Sequence, residues 1–231
     1  MNYEDFEKIL SPVRLSRYLH ACGDDKNKAL KLYRLNIKLS QEFYALLSLF
    51  EVTLRNAVNE HYITHFKDCE WLKNQCLRKG FLNNHLFKSG HYKSKLKIDN
   101  AIRELGINYN NDRLVASLSF GFWVNLFAPI QFRLTGQNLH KIFTKRPNGS
   151  QPKLIYKDLN LILTFRNRVA HHEPICFNGL KVIDISGATI CYNLICKYIN
   201  WLDLDKAKFL NDLDDTTFII NEIYDLKKDL C

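Results

Sequence analysis

Between Gly23 and Gly80 the chain contains neither glycine nor proline, and apolar residues recur there at helical spacing. Ala29, Leu32, Leu39, Phe43, Leu46, Leu47, Phe50, Leu54, Ala57 and Val58 make the stripe, with Asn36 on the same face. Asp24 or Asp25 is placed to cap this long helix. A shorter helix is predicted over Trp71–Lys79, and SGHYKSKLKIDNAIREL opens another. NNDRLVASLSFGFWVNLFAPI reads as a helix ended or kinked near Pro129, because proline lacks the amide that continues a helix. KLIYKDLNLILTFRNRVAHHEP reads as a helix stopped by Pro174. The Asn-Gly pair in PICFNGLKVI, set between apolar runs, predicts a short β-hairpin near 175–183. Helical patterns return from about Ser186 to Leu202 and from Thr216 to Leu230. No linker, repeat or low-complexity tract interrupts the chain. The expected fold is all-α: one domain over 1–231, with helices running up and down.

Composition adds class information. No stretch approaches the roughly 20 apolar residues of a membrane span, and MNYEDFEKIL lacks the features of a secretory signal, so a cytoplasmic protein is expected. The seven cysteines are scattered without a C-x-x-C pair, which suits buried reduced thiols better than zinc ligation or a disulfide framework. Acidic residues are dispersed outside the last thirty or so positions, and neither a metal nor a cofactor is expected.

Charge is uneven. The net charge is +9, but residues 203–231 hold eight acids against four bases, which leaves +13 on residues 1–202. Lys67 to Arg103 alone holds nine bases against three acids, and a second basic cluster surrounds FTKRPNGSQPK. Such asymmetry favours a polyanionic partner. Lys93, Lys95, Lys97, Lys145, Arg146 and Arg168 are the expected nucleic-acid contacts.

The chemistry concentrates in FRNRVAHHEP, Phe165 to Pro174. An R-x(4–6)-H pattern alone is weak, since it can start from Arg14, Arg55, Arg78, Arg133 or Arg166. The helical wheel discriminates. With Ile155 at 0° and 100° per residue, Arg166 falls near 20°, inside the apolar face made by Ile155, Leu159, Ile162, Leu163, Val169 and Ala170. A cation there needs a partner or a cleft. Arg168 falls on the opposite side, facing water. Asn167 and His171 adjoin one another about one turn apart, His171 lying roughly 140° from Arg166, whereas His172 points elsewhere. The long arginine stem could bridge that angle, or a second copy of the helix could complete the site across a dimer interface.

RNRVAHHEPI resembles the signature of Abi-like (abortive infection) proteins of the HEPN superfamily. LSPVRLSRYL, ALKLYRLNIKLSQEFYALLSLFEVTLRNAVN and SLSFGFWVNLF are similar to other blocks of that family, in the same order. Together the blocks cover most of residues 10–201. Leu35 departs from the tryptophan common at that position.

The resemblance implies a HEPN-like helical bundle acting as a metal-independent endoribonuclease in phage defence or a toxin–antitoxin system. It also implies a homodimer with the motif helices at or near the interface, and an antitoxin of RNA or protein. Carried over, Arg166 is the motif arginine, Asn167 the polar residue after it, and His171 or His172 the motif histidine, with His171 preferred because it adjoins Asn167. Glu51 and Arg55 match the family's E-x-x-x-R-N helix and, with Glu173, are supporting residues. Glu51 would hold Arg166 in place, or else form an i,i+4 ion pair with Arg55. The alternative function is RNA binding without cleavage.

Overall fold

In a computed structural model, residues 2–85, 93–177, 182–205, 208, 210 and 215–230 are described. Among the described residues the regular elements are all helical, with no strand. The helices are α1 (Tyr3–Leu10), α2 (Pro12–Ala21), α3 (Lys26–Phe66), α4 (Trp71–Asn74), α5 (Ser94–Leu105), α6 (Asn111–Ser117), α7 (Phe120–Asn125), α8 (Pro129–Leu134), α9 (Pro152–Ala170), α10 (Ser186–Trp201) and α11 (Thr216–Lys228). The all-α expectation holds. No helix among the described residues is long and apolar enough to cross a membrane.

The glycine- and proline-free stretch forms the 41-residue α3, about 60 Å long. Asp25 is its cap: the carboxylate accepts from the amides of Asn27 (2.9 Å) and Lys28 (3.0 Å). Two segments differ from expectation. The run expected to be one helix up to Pro129 is two, α6 and α7, because Leu118 and Ser119 are extended and break it. Pro129 then opens α8 at its first turn, where its missing amide costs no hydrogen bond. The helix expected over Trp71–Lys79 stops at Asn74.

Of the predicted hairpin, the described residues show one antiparallel bridge, Phe177 to Ile183, supported by the Asp184 amide donating to the Cys176 carbonyl at 2.9 Å. Asn178 and Gly179, its expected turn, lie outside the described residues.

The chain packs as two compact units whose boundaries fall inside helices or next to them. Unit 1 holds Met1–Ser48, Thr164–Lys197 and Asp205–Cys231; unit 2 holds Leu49–Leu163 and Tyr198–Leu204. Helices α3, α9 and α10 each contribute to both, so the sequence carries no mark of the division.

Unit 1 has a core of Leu15, Tyr18, Leu32, Leu39, Phe43, Phe165, Ile195 and Ile223, all nearly or fully buried. Phe43 meets Phe165 at 4.7 Å between ring centres, and Tyr18 packs edge-on against Tyr33 and Phe177. The acidic C-terminal segment is tied here: the Asp215 amide donates to Glu42, and Lys28 donates to the Asp229 carbonyl.

Unit 2 centres on Tyr62, Trp71, Phe120, Phe122, Trp123 and Phe143. Buried Trp71 donates its indole N–H to Asn59 at 2.9 Å, satisfying the one polar atom of the ring. The run Phe120, Phe122, Trp123 is core, each residue at most 1% exposed.

Four of the described cysteines (Cys22, Cys76, Cys176, Cys191) are buried free thiols; burial pushes Cys22 up to about 11 and Cys76 to about 12. Cys69 departs from the expectation by being exposed.

A histidine group in unit 2 makes this unit acid-sensitive. The ring of His61 bonds to Asn138 Oδ1 (3.0 Å), whose amide nitrogen bonds to His65 Nδ1 (3.2 Å), and the two rings stack 6.1 Å apart. Burial pushes His61 below its ordinary value; the Asn138 bond opposes this, and His65 and Lys141 reinforce it. Burial likewise lowers His140, helped by Arg146, Lys141 and His61. With both depressed from about 6.5, the unfolded chain takes up protons first. Stability is therefore full above about pH 6.5 and falls as pH drops below it. Thermal melts between about pH 8 and pH 5.5 should show Tm falling on acidification, with a shallower fall in His61→Gln. Equal slopes in the two proteins would contradict this.

Candidate functional site

The FRNRVAHHEP stretch lies where α9 ends in unit 1, and its hydrogen bonds show how the helix closes. The His171 amide donates to Asn167 (2.9 Å) in the last regular turn. The His172 amide then donates to Val169 (3.1 Å) and the Glu173 amide to Arg168 (2.9 Å). With His172 at φ +55°, this is a Schellman closure, a conformation in which glycine is the usual residue. A left-handed residue with a Cβ costs roughly 1–2 kcal/mol, somewhat less for histidine, so the position is strained.

The reversal places the histidines differently from the wheel, which ran the helix through both. His171, His172 and Asn167 are all exposed. His172 turns out of helical register and lines, together with half-buried Arg166, a cleft of about 720 Å³. The structure thus brings Arg166 and His172 to one place within a single chain. The 140° angle that suggested a second copy belonged to the pair Arg166 and His171.

Three contacts hold the turn. Arg14, on α2, donates to the His172 carbonyl at 2.8 Å and itself lines the cleft. Asn36, on α3, is 7% exposed, and its side-chain oxygen accepts from the amides of Ile175 (2.8 Å) and Cys176 (3.1 Å). Arg168, expected to face water, instead donates to the carbonyls of Pro174 (2.6 Å) and Phe177 (2.8 Å) and pairs with Glu173 at 3.6 Å. The wheel could not anticipate this, because the chain after Pro174 folds back over the polar side of α9. Glu173 is thereby a partner of the clamp rather than a cleft residue.

The remaining wall is one face of α3: Tyr33, Ile37, Ser40, Gln41 and Tyr44, at helical spacing. None of the lining residues is acidic, and Arg14 and Arg166 are cationic, so the cleft suits an anion.

The other candidate residues lie in unit 2. Glu51 and Arg55 are half-buried on α3, and Arg55 Nε donates to Asn56 at 3.4 Å. Lys93 and Lys97 are exposed at the start of α5, where Lys95 is ion-paired with Asp99 at 2.6 Å. Lys145 pairs with Asp203 at 3.5 Å, an exposed contact of small energetic weight. Arg146 donates to the carbonyls of Phe143 and His140, closing its own turn.

Sequence reasoning missed Arg14, Asn36 and the rest of the α3 wall as cleft residues. Arg14 carries no signal beyond a weak motif start, although it belongs to the block LSPVRLSRYL. Asn36 was visible as a polar residue on an apolar stripe, the signal of a buried group with a long-range partner. Among the described residues, no group of three or more His, Cys, Asp or Glu side chains could hold a metal ion. No protein family, curated protein or solved structure matches the chain.

Proposed function

We propose that this protein is a metal-independent endoribonuclease. The observation that carries the reading is the acid-free cleft in which Arg166, Arg14 and a histidine in a strained turn, His172, come together. RNA supplies its own nucleophile, so the protein need only position the phosphate, balance charge and move protons. His172 accepts the 2′-hydroxyl proton as the 2′-O–P bond forms. A proton returns to the 5′-oxygen as the P–O5′ bond breaks. Arg166 binds the scissile phosphate and stabilises the charge gathering on its oxygens. Arg14 spends one N–H on the His172 carbonyl and, with five donors in its guanidinium, keeps others for the phosphate. The products are a 2′,3′-cyclic phosphate and a 5′-hydroxyl.

The resemblance suggests such an activity in phage defence or a toxin–antitoxin pair, in a homodimer, with an RNA or protein antitoxin; the cytoplasm is the proposed compartment. The basic segments 67–103 and 141–157 are the proposed track for the rest of the RNA, giving salt-dependent, weakly sequence-specific binding.

Incubation with mixed RNA in EDTA tests the activity directly. Wild type should yield cyclic-phosphate ends, and Arg166→Ala should cut on the order of 10²–10³-fold more slowly while melting as a folded protein. RNA binding without cleavage by any sample would sink the proposal and favour a binding protein.

A further inference from the structure

The cleft has two chemically distinct ends. Arg14 and His172 stand by the Tyr33–Asn36 end of the α3 face; Gln41 and Tyr44 stand farther along it. The twelve residues from Tyr33 to Tyr44 span eleven helical steps, a rise of about 16 Å, which leaves room for about two nucleotides.

The polar groups of the two ends are also differently engaged. Asn36 gives its side-chain oxygen to two backbone amides, and its carbonyl accepts from the Ser40 hydroxyl at 2.8 Å. Among the described residues, neither the Gln41 carboxamide nor the Tyr44 hydroxyl has a hydrogen-bond partner. Tyr44 is 66% exposed, and Ile37, two turns earlier on the same wall, is 40% exposed. An aromatic ring held out on a rigid helix, next to an unengaged amide and in one cleft with two arginines, has the parts of a nucleotide site: a face to stack on, an edge to read, and cations for phosphate.

We propose that Tyr44 stacks an unpaired RNA base and that Gln41 hydrogen-bonds its edge, so that this pair chooses which nucleotide sits next to the scissile phosphate. The proposal deepens the ribonuclease reading and rests on it for the identity of the ligand. Stacking needs only the ring, so the hydroxyl of Tyr44 is dispensable. Discrimination among bases needs the carboxamide.

The test uses 2′-O-methyl RNA octamers, which lack the free nucleophile and cannot be cut, with binding read by fluorescence anisotropy. Tyr44→Ala should weaken binding to oligo-A or oligo-U on the order of 10- to 100-fold, and Tyr44→Phe by less than about 3-fold. An octamer abasic at every position should bind wild type and Tyr44→Ala equally. Gln41→Ala should flatten the difference in affinity between the homopolymers. Tyr44 and Gln41 are exposed, so unchanged melting temperatures confirm intact folds. Equal binding of base-containing RNA by wild type and Tyr44→Ala overturns the proposal, as does a Phe variant as weak as the Ala variant, or no binding by wild type. Failure of the ribonuclease reading looks different: Tyr44-dependent binding with no cleavage of unmodified RNA. Conversely, cleavage at unchanged positions and rates in Tyr44→Ala leaves a ribonuclease and removes the stacking site.

Discussion

Replacing His172 with glycine is expected to stabilise the protein while abolishing RNA cleavage. The backbone at 172 is left-handed, at φ +55°, and closes α9 through two hydrogen bonds that need no side chain. Glycine removes the Cβ strain, roughly 1–2 kcal/mol for an ordinary residue and less for histidine. Its greater freedom in the unfolded chain gives back about 0.5–1 kcal/mol. The net gain is on the order of 0.5 kcal/mol, a rise in Tm of about 1–2 °C. Loss of the imidazole removes the proposed proton carrier and should lower the cleavage rate about 10²–10⁴-fold. His171→Gly is the control: its backbone is not left-handed, so glycine there should cost stability, and cleavage should stay near wild type. If His172→Gly cleaves normally and His171→Gly does not, His171 is the acid/base. A histidine kept where glycine fits better is what a functional constraint on that turn would leave behind.

Asn36→Leu should be the most destabilising single change near the cleft. The leucine keeps the volume but removes the acceptor for the amides of Ile175 and Cys176, residues 1% and 0% exposed. Each orphaned buried donor costs about 1–3 kcal/mol and the more apolar leucine returns part of that, so a loss of roughly 2–4 kcal/mol is expected. In a chain of this size that corresponds to a Tm lower by about 5–15 °C, read by calorimetry or denaturant midpoint. Asn36→Asp keeps an acceptor for both amides and should be milder, even though it buries a carboxylate. The same bonds hold the segment after His172, so Asn36→Leu should also slow cleavage at temperatures where the protein remains folded. A Leu variant as stable as wild type would mean the two amides find other partners.

The helices were legible because their signals are local. Uninterrupted periodicity from Gly23 to Gly80 and an aspartate at its start suffice to place α3, and the apolar stripe of α9 suffices to single out Arg166. The short helices were less legible. Whether the chain continues through Leu118–Ser119, or whether Pro129 ends one helix or begins the next, depends on packing that periodicity does not encode. The division into two units left no trace in composition, because helices carry the chain across it.

The sequence by itself determined an all-α chain with a basic body and an arginine stranded on an apolar helix face. The tertiary structure decided what that arginine stands beside. Arg168 became a clamp because the carbonyls of Pro174 and Phe177 fold back over it, and Asn36 became an anchor for amides 139 and 140 residues away. His172, rather than His171, lines the cleft because the helix ends in a left-handed turn, held by an arginine 158 residues earlier in the chain. Helical geometry repeats along the chain and can be read from neighbours. The exit from a helix is set by whichever distant donors and acceptors the fold brings to its last carbonyls, and only the folded chain contains that information.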